Sequence, residues 1–177
     1  MHLGTRKLSF LGLLLAFTEI LIILSGVLEF NTLFLLAAAA FCVGIAFRES
    51  NLRFAFGFYL ASIILGFLLA PNKLYCITYG AMAIYLLIAE FSYDKLALVK
   101  SFNTRRQLLW VIKYIAFNLM YIPALLFLPA LFYEGDINKN FIVGFILVGQ
   151  IALFIYDLAY NYFQRFVWGK MRSNFKL

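Results

Sequence analysis

Apolar residues run along this chain in six long stretches, separated by short polar breaks. The stretches are 8–28, 32–47, 54–70, 73–91, 107–132 and 140–165. About 20 residues of helix cross the ~30 Å hydrocarbon core of a bilayer. The pattern therefore predicts an all-α polytopic membrane bundle of six transmembrane helices. The second stretch is the shortest, which predicts little tilt or an end in a loop at membrane depth. The breaks fall at EFN (29–31), RESNLR (48–53), APNK (70–73), the segment 92–106, and YEGDINKN (133–140). No internal repeat or low-complexity tract interrupts the pattern, so residues 1–177 read as a single integral membrane domain.

Composition removes the soluble alternatives. The chain is 65% apolar and 13% charged, against about 25% charged in an ordinary soluble domain. Its net charge of +7 could suggest nucleic acid. The basic residues, however, sit in short breaks between apolar spans rather than on one soluble face, which excludes that partner. Twelve of the fifteen lie at the N-terminus (Arg6, Lys7), in the second break (Arg48, Arg53), in the fourth (Lys95, Lys100, Arg105, Arg106) and in the tail (Arg165, Lys170, Arg172, Lys176). The alternate breaks hold only Lys73 and Lys139 beside Glu29, Glu134 and Asp136. The positive-inside rule then places both termini in the cytoplasm. The run 8–28 is too long for the apolar core of a typical cleaved signal, so it is expected to remain as the first span. Cys42 and Cys76 lie inside apolar segments without metal-ligand spacing and read as packing residues.

The fifteenth basic residue, Lys113, lies inside the fifth span. Counting from the basic end at 1.5 Å per residue puts it ~10 Å deep, and Asp157 of the sixth span ~12 Å deep. Two antiparallel neighbours would bring them to one level, where pairing removes much of the cost each carries alone. The alternatives are that Lys113 snorkels to the interface or acts directly on a substrate or proton. Asn118 and Gln150, nearer the other end of the same helices, are candidates to bond one another. Glu19 sits near the middle of the first span. Glu90 is expected to reach water at the end of the fourth.

Catalysis finds no support. His2 is the single histidine, and no metalloprotease, phosphate-loop or nucleophile-elbow motif occurs. No cofactor or metal is expected, and the reading is of a protein that is not an enzyme.

The first span, within TRKLSFLGLLLAF, places Ser9, Gly12 and Ala16 on one face, with Gly12 and Ala16 at small-xxx-small spacing. Such a face lets another helix approach closely, from the same chain or from a partner. With six short spans, both termini inside and this basic, Gly/Ala-faced first helix, the chain resembles the substrate-binding S components of energy-coupling factor (ECF) vitamin transporters. It also resembles small membrane proteins of Gram-positive bacteria. With these it shares Pro71–Asn72–Lys73 at the start of the fourth helix, Lys113 with Asn118 in the fifth, and Tyr156–Asp157 in the sixth.

The resemblance implies a subunit of a bacterial plasma-membrane importer. Its first helix would dock on a transmembrane coupling subunit driven by partner ATPase subunits. A vitamin-like small molecule would bind in a pocket open to the outside. Asn72, Lys73, Tyr75, Tyr79, Asn118, Tyr121 and Gln150, all in the outer half, are the candidates to line that pocket. Tyrosine offers a stacking face and a hydroxyl to such a ligand; the alternative is an aromatic belt at the interface, which suits Tyr75, Tyr121 and Tyr133. A membrane scaffold, assembly factor or small subunit of another complex would use the same small-residue face without a pocket.

Overall fold

The computed structural model describes residues 4–99, 101–127 and 139–175. Six long helices follow one another: α1 (Thr5–Val27), α2 (Thr32–Glu49), α3 (Leu52–Leu69), α4 (Lys73–Leu96), α5 (Phe102–Phe127) and α6 (Lys139–Tyr162). The last runs on through a π-helical turn, Phe163–Trp168, into α7 (Gly169–Phe175). No strand occurs among the described residues. All six spans are long and apolar enough to cross a membrane, the sixth as Gly144–Arg172.

Local chemistry explains the breaks. EFN folds as a 3-10 turn between α1 and α2. Asn51 caps α3, its Oδ1 accepting from the backbone N–H groups of Arg53 and Phe54. Asn72 caps α4 in the same way through Leu74 N. A side-chain oxygen at this position satisfies amide donors that a helix start leaves open. Lys73 closes the other side of that turn, its ammonium donating to the carbonyls of Phe67 and Ala70 at the end of α3. Most of the break at 133–140, with Tyr133, lies outside the described residues.

The shortest span is a complete helix and occupies the centre. Of the residues of α2, 67% are buried, against 11% in the apolar stretch of α5. Helices α1, α3 and α4 pack around α2. The alanines and glycine of AAAAFCVGIA make this possible, because small side chains let backbones approach without a void. The shortest stretch is thus a continuous helix that reaches Glu49 and is mostly buried against its neighbours.

Phe41 of α2 meets α6 and the π turn through the rings of Tyr156, Tyr160 and Phe163, with centroids 5.6, 5.3 and 5.2 Å away. Both described chain ends gather at the end of α2. Lys7 Nζ donates to the Glu49 carbonyl at 2.9 Å, and Arg172 Nε lies 2.9 Å from Glu49 Oε1. This is the terminal end of the bundle; the α3–α4 turn lies at the other.

Gly44 of α2 faces α6: a side chain there would run into the ring and hydroxyl of the buried Tyr160. Gly12, by contrast, has nothing within 4 Å of where a side chain would begin. Gly44→Ala is expected to lower stability by ~1–3 kcal/mol through overpacking, whereas Gly12→Ala should be neutral or slightly stabilising in a helix. Thermal unfolding of both variants in mild detergent checks the contrast.

Candidate functional site

A carboxylate inside a membrane bundle is expensive unless a cation and hydrogen-bond donors meet it there. Three buried carboxylates lie toward the terminal end, and each has its cation. Glu90 of α4 receives Arg48 of α2, whose Nη2 and Nε reach Oε1 at 2.6 and 3.0 Å. Tyr160 of α6 donates its hydroxyl to the same oxygen at 2.6 Å, and Gln164 donates to that hydroxyl at 3.1 Å. Glu49 of α2 receives Arg172 of α7 and the indole N–H of Trp168, the latter at 3.1 Å.

Asp157 of α6 receives Lys113 of α5, with Nζ 2.6 Å from Oδ1. Tyr85 of α4 donates to that oxygen at 3.2 Å, and Asn161 donates to Oδ2 at 3.0 Å. The Lys113 ammonium also stands 5.6 Å from the Trp110 ring centroid. Of the arrangements open to Lys113 from sequence, the structure shows the pair, with the lysine side chain only 15% exposed.

One helical run supplies many of these groups. Asp157, Tyr160, Gln164 and Trp168 are all buried. Spacings of three, four and four keep them on one face, since the run from Asp157 to Trp168 makes about three α-helical turns. The run passes through the π turn, and Trp168 at its end still meets Glu49 of α2. No residue in FQRFVW announces that turn.

Between these pairs and the terminal end lies a cavity of ≈ 910 Å³. Its wall is made by the end of α2 and the α2–α3 link, the last turns of α4, Lys113 of α5, and Tyr160, Asn161 and Arg165 beyond. Five cations line it, Arg48, Lys95, Lys113, Arg165 and Arg172, against two carboxylates, Glu90 and Asp94. Apolar side chains such as Phe47, Leu52 and Phe91 complete the wall.

None of the seven residues expected to share an outward pocket lines this cavity. The structure gives most of them another task. Asn72 and Lys73 build the α3–α4 turn. Tyr79 is fully buried, its hydroxyl 2.6 Å from that of Ser62. Asn118 and Gln150 exchange amide hydrogen bonds, Gln150 Nε2 reaching Asn118 Oδ1 at 2.9 Å and Asn118 Nδ2 reaching Gln150 Oε1 at 3.4 Å. Tyr121 donates to the Phe145 carbonyl at 2.7 Å. Tyr75 is half-buried against the core. Polar groups in a bilayer find partners within the bundle, and the Asn118–Gln150 pair is the one the sequence offered.

The expectation for Glu90 is corrected, since it is buried on Arg48 rather than wetted at a helix end. Glu19 lies elsewhere, buried, with neither carboxyl oxygen bonded among the described residues. Ser9, Gly12 and Ala16 all face outward from the bundle. Sequence reading missed Glu49, Tyr160, Gln164, Trp168 and the cavity role of the arginines. The available signal was the polar-aromatic stripe at spacings of three and four through the last span.

No protein family, curated protein or solved structure matches this chain. Among the described residues no three His, Cys, Asp or Glu side chains gather to hold a metal ion. The chemistry this site offers is recognition of charge: an excess of fixed cations in a partly apolar recess.

Lys113→Met alone is expected to destabilise by ~3–5 kcal/mol, because it strands a buried carboxylate. Adding Asp157→Leu should recover part of that loss. Recovery stays incomplete, since Tyr85 and Asn161 then lose their acceptor. Thermal denaturation of the two single variants and the double measures the coupling; strictly additive losses would refute an energetic pair.

Proposed function

We propose that the chain is a membrane subunit that docks through the outward face of α1 on a partner helix. On this reading the partner is the coupling subunit of an ECF-type importer, and the chain is the importer's substrate-binding subunit in a bacterial plasma membrane. The observation that carries the reading is the open face itself. Ser9, Gly12 and Ala16 are exposed, and nothing described lies within 4 Å of a side chain built at Gly12. Gly44 and Gly66, by contrast, are used against neighbours inside the bundle. A small-residue face left unused within its own bundle suits close approach by another helix. The basic residues support placing the terminal end in the cytoplasm. Energy for uptake of a vitamin-like molecule would come from partner ATPase subunits.

Asn118 and Gln150, candidates for a ligand at the opposite end, bond one another instead. That favours a second reading, a non-transport scaffold, assembly factor or small subunit of another complex, which needs no outward pocket. Purification from the native membrane separates the two. Coupling subunit and ATPases in the eluate, with a thermal shift on adding a vitamin, support the importer; an unrelated complex supports the scaffold. Gly12→Leu and Ala16→Leu are expected to abolish association while the isolated chain keeps its thermal midpoint, as replacements at an open face should. Unaltered co-purification of both variants would refute docking through this face.

A further inference from the structure

We infer that the 910 Å³ cavity at the terminal end is a binding site for a phosphate-bearing anion. The inference is independent of the importer reading, whose substrate would enter from the other end. It rests on which cations the fold consumes and which it leaves. Each buried carboxylate at this end already has a cation: Glu90 has Arg48, Asp157 has Lys113 and Glu49 has Arg172. Two further cations line the same wall, against one further carboxylate, Asp94, so that cations remain in excess by one. Among the described residues Arg165 and Lys95 pair with no carboxylate at ion-pair distance, and the Lys95 ammonium stands 5.5 Å from the Phe91 ring centroid.

The paired arginines also keep spare donors. Arg48 meets Glu90 through Nε and Nη2 alone, and its side chain is 35% exposed. Arg172 meets Glu49 through Nε, and its side chain is 57% exposed. A guanidinium carries five N–H donors in a planar fork, a shape that fits phosphate oxygens. One recess therefore holds three guanidinium groups with free donors or no acidic partner, and an ammonium. It lies at a membrane-bundle end, with apolar side chains in its wall. Basic pockets between transmembrane helices of this kind take lipid head groups. A free phosphomonoester would use the same cations without the apolar wall.

The test uses the full chain, purified in mild detergent and stripped of lipid. Native mass spectrometry would titrate phosphatidylglycerol against phosphatidylcholine, and a thermal-shift assay would titrate sn-glycerol 3-phosphate and inorganic phosphate. Selective retention of phosphatidylglycerol is expected, weakened roughly tenfold or more in the Arg165→Gln/Lys95→Gln double variant. Both residues are exposed and outside the ion pairs, so the variant should keep its thermal midpoint. Arg53→Gln/Arg106→Gln removes equal charge from exposed positions outside the cavity and should leave binding unchanged. A shift with the soluble phosphates, lost in the cavity variant, would support the site with a soluble ligand as its source. Equal binding of both lipids with no response to phosphate would overturn the proposal. So would equal weakening by the control variant, which would show diffuse surface attraction, or a cavity variant that binds like the unaltered chain.

Discussion

A charged carboxylate buried toward the end of a membrane bundle costs least when a cation and donors meet it there, as they meet Glu90, Asp157 and Glu49 Oε1; Glu19, elsewhere in the bundle, has no such partner among the described residues. The arrangement of this protein's terminal end follows from that constraint. Arg48 and Glu49 are consecutive on α2, so their side chains leave the helix in different directions. Arg48 turns to Glu90 of α4, and Glu49 turns to Arg172 and Trp168 beyond α6. Lys7 of α1 adds a bond to the Glu49 carbonyl. One dipeptide thereby joins the beginning of the chain, its fourth helix and its last helix. The centre of the bundle can be packed with alanine and glycine because directional bonds at its end fix the register that such smooth surfaces leave free.

The two halves of the bundle are held by different physics. Along the middle of α2 the contacts are close and aromatic: Gly44 admits the Tyr160 ring, and Phe41 lies among three aromatic rings. The α5–α6 pair instead carries polar rungs, Lys113–Asp157, Asn118–Gln150 and Tyr121 to the Phe145 carbonyl. Residue numbers rise along one helix as they fall along the other, as antiparallel helices require. Rungs of this kind average ~0.6 kcal/mol between helices in a membrane. They act mainly by selecting one register, since a shifted helix would leave several of them unmade at once.

The number of spans, their approximate limits and the pairing level of Lys113 and Asp157 were legible in sequence, because each depends on helical rise and hydropathy alone. The caps at Asn51 and Asn72 were not read from the breaks, and Asn72 was assigned to a pocket instead. What was not legible depended on azimuth. Glu90 looked like a helix-end residue because its depth is readable and its direction is not; only the packing of α2 shows that it points at Arg48. Tyr79 was placed by depth alone, yet its direction turns it to Ser62, whereas the bond between Asn118 and Gln150 was among the readings their shared level offered. The π turn at Phe163–Trp168 was not legible either, since no residue type in that segment marks it. The arginines were read as topology markers. That reading accounts for their end of the bundle and is silent on the recess they share.

Lys113 belongs to both regimes. It is a rung between α5 and α6, and it is also part of the cavity wall. Its helix is the least buried of the six, so directional bonds contribute a larger share of what positions α5 than of what positions α2. Asp157 holds three donors, Lys113, Tyr85 and Asn161, and only the first comes from α5. Weakening the lysine bond would leave the carboxylate tied to α4 and to its own helix while loosening α5 at this level. An anion in the cavity and the Asp157 carboxylate address the same ammonium. The ion pair that sets the register of the outer helix is therefore also where charge entering the recess would be felt by the fold.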